Sequence, residues 1–215
     1  FSMLVYFTIL AGILLTVLGI IFVRPIAELF GADESMMDTC VLYGRIVIAF
    51  NAAFMLQNIF QSFFVVAEKP RLGLIVTIAA GVTNMVLDAL FVGVFKWGIV
   101  GAALATGISQ SIGGLLPLLY FALPNNSPLQ LTRTGFELAP LLKASSNGCS
   151  ELMSNVASSL IGIMYNYQLM RLGGENAVAT YGVLMYIQFV FIAIFIGYSV
   201  GSAPIIGYHY GAGNF

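Results

Sequence analysis

The fold is decided by the long apolar stretch Leu72-Gly-Leu-Ile-Val-Thr-Ile-Ala-Ala-Gly-Val-Thr-Asn-Met-Val-Leu-Asp-Ala-Leu-Phe-Val-Gly-Val-Phe95. Asp88 is the only charged residue in it. A run of ~20 apolar residues is long enough for one transmembrane helix. Asn84 lies one helical turn before Asp88, and Thr77 and Gly81 continue the same face. An acid at membrane depth is costly and marks a functional site, so this face should border protein or a water-filled cavity. The alternative is a packing helix whose Asp88 is protonated and hydrogen-bonded.

The composition of the chain is that of a membrane protein. Apolar residues make up 60% of the 215 residues and charged residues only 8%, whereas about 25% of the residues in soluble domains are charged. The hydrophobic runs are too long and continuous for barrel strands, which alternate over ~10 residues. We therefore predict an all-α protein that crosses the cell membrane several times. The net charge of −1 gives no reason to expect a nucleic-acid partner.

The hydrophobic pattern predicts six transmembrane helices. They cover residues 1–23, 46–67, 72–95, 99–123, 144–170 and 177–206. The connections after the second, third and fifth helices are short, so those pairs should be antiparallel neighbours. The segment from Arg24 to Cys40 is predicted to be a polar loop, with a helix cap near Asp33 or Ser35.

The one long connection follows the fourth helix and begins with Pro124-Asn-Asn-Ser-Pro128. It predicts a division into residues 1–123, a linker over 124–143, and residues 144–215. The chain begins inside a hydrophobic run without a basic leader, so we expect no signal peptide and a missing natural N-terminus. Basic residues divide four against four between the two sides, so the positive-inside rule gives no orientation.

Further polar residues interrupt the other predicted helices. Gln61 lies in the second helix, where amides can also serve as glue between helices. Glu151 is a second acid at membrane depth, Asn155 continues its face, and Gln188 lies on the last helix. Two such acids without a nucleotide-binding motif suggest coupling to a proton or sodium gradient.

Thr106 is expected to lie close to Asp88. The two residues sit at similar distances from the short turn at Lys96-Trp97-Gly98, so they should lie at nearly the same depth on antiparallel helices. The carboxylate, the Asn84 amide oxygen and the Thr106 hydroxyl form an oxygen-rich set suited to sodium. The same carboxylate could carry a proton instead, and the sequence does not choose between the two ions.

The sequence gives little support for an enzyme. It has no His-Glu-x-x-His zinc motif and no phosphate-binding Gly-x-x-x-x-Gly-Lys. We therefore expect no enzyme, no cofactor and no metal other than a possible sodium ion at Asp88, Asn84 and Thr106. An intramembrane enzyme that uses Asp88 and Glu151, or a structural membrane subunit, are the rivals from other classes.

Several motifs together resemble the MATE (multidrug and toxic compound extrusion) transporters, especially bacterial ones. The resemblance covers essentially the whole chain. It rests on Gln61-Ser-Phe-Phe-Val-Val-Ala-Glu-Lys-Pro70, Asn84-Met-Val-Leu-Asp88, Gly98-Ile-Val-Gly-Ala-Ala-Leu-Ala-Thr106, Cys149-Ser-Glu-Leu-Met-Ser-Asn155, and Gly197-Tyr-Ser-Val-Gly-Ser-Ala-Pro204 with Gly211-Ala-Gly-Asn214.

The resemblance implies twelve helices in two six-helix lobes, of which this chain would be helices three to eight. Residues 1–123 would belong to the first lobe, 124–143 would be the cytoplasmic linker, and 144–215 would begin the second lobe. The sequence would thus be a fragment of a protein that is monomeric at full length.

The resemblance also implies roles for individual residues. Asn84 and Asp88 match the amide–acid pair of the family's first-lobe cation site, with Thr106 and Gln61 at positions nearby. Glu151 matches the acid of the seventh helix, which is associated with cation coupling and cationic substrates.

The resulting hypothesis is a secondary antiporter of the plasma membrane. It would export organic, often cationic, drugs or toxins in exchange for protons or sodium ions. Asp88, Asn84, Thr106 and Gln61 would couple the cation, and Glu151, Asn155 and Gln188 would contact substrate or a proton. The alternative is a lipid-linked glycan flippase of the same superfamily, which would need a larger cationic cavity.

Overall fold

The computed structural model describes residues 1–29 and 34–213, and all the regular secondary structure in that part of the chain is helical. The helices, in chain order, are α1 (Ser2–Leu29), α2 (Glu34–Ala49), α3 (Asn51–Val66), α4 (Pro70–Asp88) with a π-helical continuation (Ala89–Val94), α5 (Gly98–Ala122) and α6 (Leu138–Gly211). The chain divides into two compact units, Phe1–Gly135 and Phe136–Phe215.

The all-helical membrane architecture is confirmed, but the number of spans differs from six. Among the described residues, four helices are long and apolar enough to cross a membrane, and a fifth span is possible if one bent pair of helices counts as one. They are Ser2–Glu28, Pro70–Val94, Gly98–Ala122 and Asn176–Gly211, with the bent pair Met37–Ala49 and Asn51–Val66. The predicted helix over 144–170 does form but is not among them, because Ser, Asn, Gly and Glu residues interrupt its apolar character.

The predicted polar loop after residue 24 is largely helical. α1 continues to Leu29, and Arg24 and Glu28 form an exposed ion pair of 3.5 Å at i, i+4 spacing. α2 begins at Glu34, so the second predicted helix becomes two helices bent by 44°. A helix tolerates charged residues where they are exposed and paired along one face. The composition of the segment did not reveal this pairing. The cap expected at Asp33 or Ser35 would rest on side chains outside the described part of the chain.

An aromatic cluster forms the core of the first unit. Phe60 stacks on Phe121 with ring centroids 5.6 Å apart, and Phe64 lies 5.4 Å from the Phe121 ring. All three side chains are buried. They join α3 to the end of α5. Aromatic pairs of this kind stabilise a fold by more than the burial of their apolar surface alone.

The segment after α5 folds back onto the first unit. The backbone N–H of Leu131 donates to the carbonyl of Phe121 at 2.8 Å, and the N–H of Thr132 donates to the Ser2 hydroxyl at 3.0 Å. Leu129 and Leu131 pack against the aromatic cluster. The first part of the expected linker is therefore ordered against the helices of the first unit.

Small residues let α5 pack closely on the helices around it. A Cβ added at Gly114 would meet the backbone oxygen of Ala53 at 2.5 Å, and one at Gly101 would meet the Phe91 Cβ at 2.9 Å. One at Gly107 would collide with the Phe50 ring. These glycines bring α5 into contact with α3 and with the π-helical segment, as small-residue seams do in membranes.

The second unit consists of α6, which is broken at Gly174 (φ 63°, ψ −160°). A left-handed φ is readily adopted only by glycine. The rings of Tyr165 and Tyr181 stack at 5.6 Å across this break. In a continuous helix a rise of ~1.5 Å per residue would keep these rings far apart, so the two parts of α6 fold back on each other. The first part begins at Leu138, whereas the predicted helix begins at Ala144.

Candidate functional site

The polar face of α4 is built by a regular helix that starts with Pro70 at its first turn. Pro is favoured there because it lacks an N–H that the helix would leave unpaired. The Thr77 hydroxyl donates to the Gly73 carbonyl at 2.9 Å, so this side chain is satisfied within its own helix. Its oxygen lone pairs remain available to a ligand.

Asn84 and Thr106 line one cavity of about 290 Å³ between α3, α4 and α5. The two residues belong to α4 and α5, which the short turn between them makes antiparallel. The polar residues that complete the lining are Gln57, Thr77, Ser109 and Gln110. The cavity therefore offers amide and hydroxyl oxygens, which suit a hard cation or a polar organic group.

Asp88 lies one turn beyond Asn84, at the end of α4, and is half-buried. Its Oδ1 is buried and has no hydrogen-bond partner among the described residues. Asp88 itself is not part of the cavity lining, so the structure brings together only Asn84 and Thr106 of the expected trio. A buried acceptor without a partner is costly, so this oxygen is available to a hydrogen-bond donor or a cation.

The hydrogen-bonding pattern of the helix changes from α to π directly after Asp88. Residues Ala89–Val94 form a π-helical segment in which the Phe95 N–H donates to the Leu90 carbonyl at 2.9 Å. Such segments are rare and occur frequently at functional sites. The rings of Phe91 and Trp97 stack at 5.0 Å next to it, which closes the turn into α5.

Gln61 lies apart from the main cavity, at a second and much smaller void. That void measures about 10 Å³ and is bordered by Gln57, Gln61 and Thr77 among other residues. A volume of ~10–15 Å³ with several polar partners is what one water molecule needs. Gln57 and Thr77 line both the void and the main cavity, so Gln61 is connected to the expected site through these two residues.

Gln57 and Gln110 line the cavity but were not among the residues predicted from the sequence. Oε1 of Gln57 is buried without a hydrogen-bond partner among the described residues. The available signal was spacing, since Gln110 lies one turn from Thr106 and faces the same side of α5. Both residues sit among small or apolar neighbours, which made helix packing the simpler interpretation.

Glu151, Asn155 and Gln188 all lie in the second unit, and all three are exposed. The Asn155 amide donates to the backbone carbonyl of Glu151 at 2.9 Å, so the two residues share one helical turn. Gln188 lies on the part of α6 that follows Gly174.

The sequence does contain one pattern of hydrolases, Gly197-Tyr-Ser-Val-Gly201. A nucleophile elbow requires a sharp strand-to-helix turn that exposes the serine hydroxyl. Ser199 instead lies in the interior of α6, where its carbonyl accepts a hydrogen bond from Ser202 at 3.3 Å. This geometry does not provide an elbow.

Comparison with known proteins links most of the chain to one family. The MatE family model matches residues 1–90 and 152–215. The multidrug export protein MepA of Staphylococcus haemolyticus is 25% identical over 208 residues, which is 96% of this chain and 46% of that protein. The probable multidrug resistance protein YoeA of Bacillus subtilis is 30% identical over 94% of this chain and 46% of its own length. The chain thus spans about half the length of the curated relatives it matches.

Solved structures share the fold. A crystal structure of a MATE protein in a bent conformation superposes with a TM-score of 0.82 at 19% identity. A MOP superfamily transporter from Pyrococcus furiosus superposes with a TM-score of 0.87, also at 19% identity. Each alignment covers 98% of this chain and 47% of the other.

Proposed function

Because the chain belongs to the MatE family, we propose that it forms part of a secondary antiporter, a multi-pass protein of the cell membrane that exports organic, often cationic, compounds. Two relatives that match nearly all of the chain are named as multidrug export or resistance proteins. Export would be driven by protons or sodium ions moving inwards. Residues 1–123 would supply four helices of the first lobe, 124–143 the linker, and 144–215 two helices of the second lobe.

The coupling ion would bind at Asp88, Asn84 and Thr106, with Gln61 connected through Gln57 and Thr77. One observation carries this proposal: Asp88 Oδ1 is buried without a hydrogen-bond partner in the described part of the chain, one turn from a cavity lined by amides and hydroxyls. A proton on that carboxylate, or a sodium ion shared with its neighbours, would supply the missing partner.

Glu151, with Asn155 and Gln188, would contact the substrate or carry a proton in the second lobe. An ionised carboxylate attracts organic cations, and its neighbouring amides can donate or accept hydrogen bonds. Transport would follow from rocking of the two lobes about a site at membrane depth, as in other secondary transporters. We propose that the full-length protein works as a monomer.

The test uses the full-length protein in proteoliposomes loaded with a fluorescent cationic dye. The proton gradient is collapsed in one set of vesicles and the sodium gradient in another. Dye export should stop in one of the two sets, which identifies the coupling ion. Export that continues at an unchanged rate in both sets would contradict the antiporter.

A further inference from the structure

We propose that a groove at one end of the first unit binds the headgroup of an anionic phospholipid. The groove measures about 580 Å³ and lies between the α3–α4 turn and the end of α5. Lys69 lines it on one side, and Tyr120 and Asn126 line it on the other. This site is separate from the proposed coupling site and does not depend on the transport function.

The position of Lys69 is set by the backbone. α3 ends with two hydrogen bonds, from the Glu68 N–H to the Val65 carbonyl at 3.1 Å and from the Lys69 N–H to the Phe64 carbonyl at 2.8 Å. Glu68 takes the left-handed conformation (φ 57°) that this type of helix end requires. Pro70 then starts α4 at once, which holds Lys69 at the junction of the two helices.

The opposite wall is held as firmly. The Asn125 amide donates to the carbonyls of Tyr120 and Leu123 at 3.0 and 3.1 Å, and its oxygen accepts from the Ser127 N–H at 2.9 Å. The end of α5 and the residues after it therefore keep a defined shape. The groove is a built feature rather than a gap beside a loose segment.

The groove is rich in donors that lack partners. Lys69, Tyr120 and Asn126 line it, and the ammonium, hydroxyl and amide groups of these residues have no hydrogen bond or ion pair within the described residues. No Asp or Glu is among the lining residues. Three donors and one uncompensated positive charge complement a phosphate oxygen group, with the lysine as its charged partner.

The position of the groove in the membrane points to a lipid. Lys69 precedes α4 and Leu123 follows α5, so the groove lies where two antiparallel membrane helices meet the same interface. Leu123 lines the groove and is 61% exposed, which offers apolar surface beside the charged end. Basic pockets at this depth are known to bind acidic lipid headgroups.

The test measures lipid retention by the detergent-purified full-length protein with native mass spectrometry. Phosphatidylglycerol and phosphatidylcholine with identical acyl chains are offered at equal concentration. We expect selective retention of phosphatidylglycerol by the wild type and by Lys69→Arg. Retention by Lys69→Gln should fall about tenfold, the effect of losing one charge-assisted hydrogen bond. Arg71→Gln is the matched control, because Arg71 is exposed in the same turn and does not line the groove.

Several results would overturn the proposal. They are equal retention by Lys69→Gln and the wild type, equal loss in Arg71→Gln, and equal retention of the two lipids. Displacement of the lipid by inorganic phosphate at the same concentration would assign the groove to a free anion. If Lys69→Gln elutes as an aggregate, Asn126→Leu replaces it, because Asn126 is exposed and lies outside the helices. Unchanged lipid retention by that variant would then reject the site.

Discussion

Asn84 of α4 and Thr106 of α5 line the same cavity, and the next turn of α4 ends at Asp88, whose Oδ1 is buried without a hydrogen-bond partner among the described residues. The Asp88 carboxylate thus lies one helical turn from a cavity that is lined by neutral amide and hydroxyl groups. An acid in this setting is expensive unless a proton or a cation accompanies it. The first unit therefore holds, on α3, α4 and α5, the residues that we propose for ion coupling.

We expect Gln57 to contribute to this site, because its buried Oε1 has no hydrogen-bond partner in the described structure. Gln57→Leu removes that acceptor while keeping a similar volume, so the melting temperature of the full-length protein should not fall. Dye export should fall about tenfold, the loss expected for one strong polar contact. Asn58→Leu is the control, since Asn58 is exposed on the same helix and donates only to the Phe54 carbonyl. Equal effects of the two variants on export would exclude a role for Gln57.

Gly114 should be required for the packing of α5 on α3. An alanine Cβ would lie 2.5 Å from the Ala53 backbone oxygen, which cannot move without shifting the helix. Gly114→Ala should destabilise the protein by about 1–3 kcal/mol, as overpacking does. The readout is the melting temperature in detergent. Gly81→Ala is the comparison, because nothing lies within 4 Å of its added Cβ, and a melting temperature lowered equally by both variants would contradict the close seam.

Glu151 should serve the export of cationic compounds. Glu151→Gln keeps the shape and one acceptor oxygen but removes the negative charge. We expect resistance to cationic drugs to fall about tenfold in cells that express the full-length protein, because a charge-assisted contact is lost. Glu68→Gln serves as the control for an exposed acid. Wild-type resistance in the Glu151→Gln strain would show that the carboxylate has only a structural role.

Much of this fold could be predicted because hydrophobic runs define membrane helices. The antiparallel pairing of α4 and α5, and the shared cavity of Asn84 and Thr106, follow from the short turn between two apolar runs. The bend at Phe50 could not be predicted, since no proline marks it and the run of apolar residues continues through it.

Other features depend on contacts between distant residues. The fold-back after α5 relies on the hydrogen bond between Thr132 and Ser2, which no local pattern announces. Gln57 lines the cavity only because α3, α4 and α5 are packed together. The π-helical segment after Asp88 could not be predicted either, because its sequence is that of an ordinary apolar helix.

The central claim concerns Asp88 and is tested most directly by dye export from vesicles that contain the full-length Asp88→Asn protein. Asparagine keeps the size of the side chain but neither takes up and releases a proton nor attracts a cation as a carboxylate does. Asp38→Asn is the matched control, because Asp38 is an exposed acid on α2. The account predicts that gradient-driven export falls to background in Asp88→Asn, while membrane insertion and melting temperature match those of the wild type and Asp38→Asn remains active. Normal export by a correctly folded Asp88→Asn protein would contradict it.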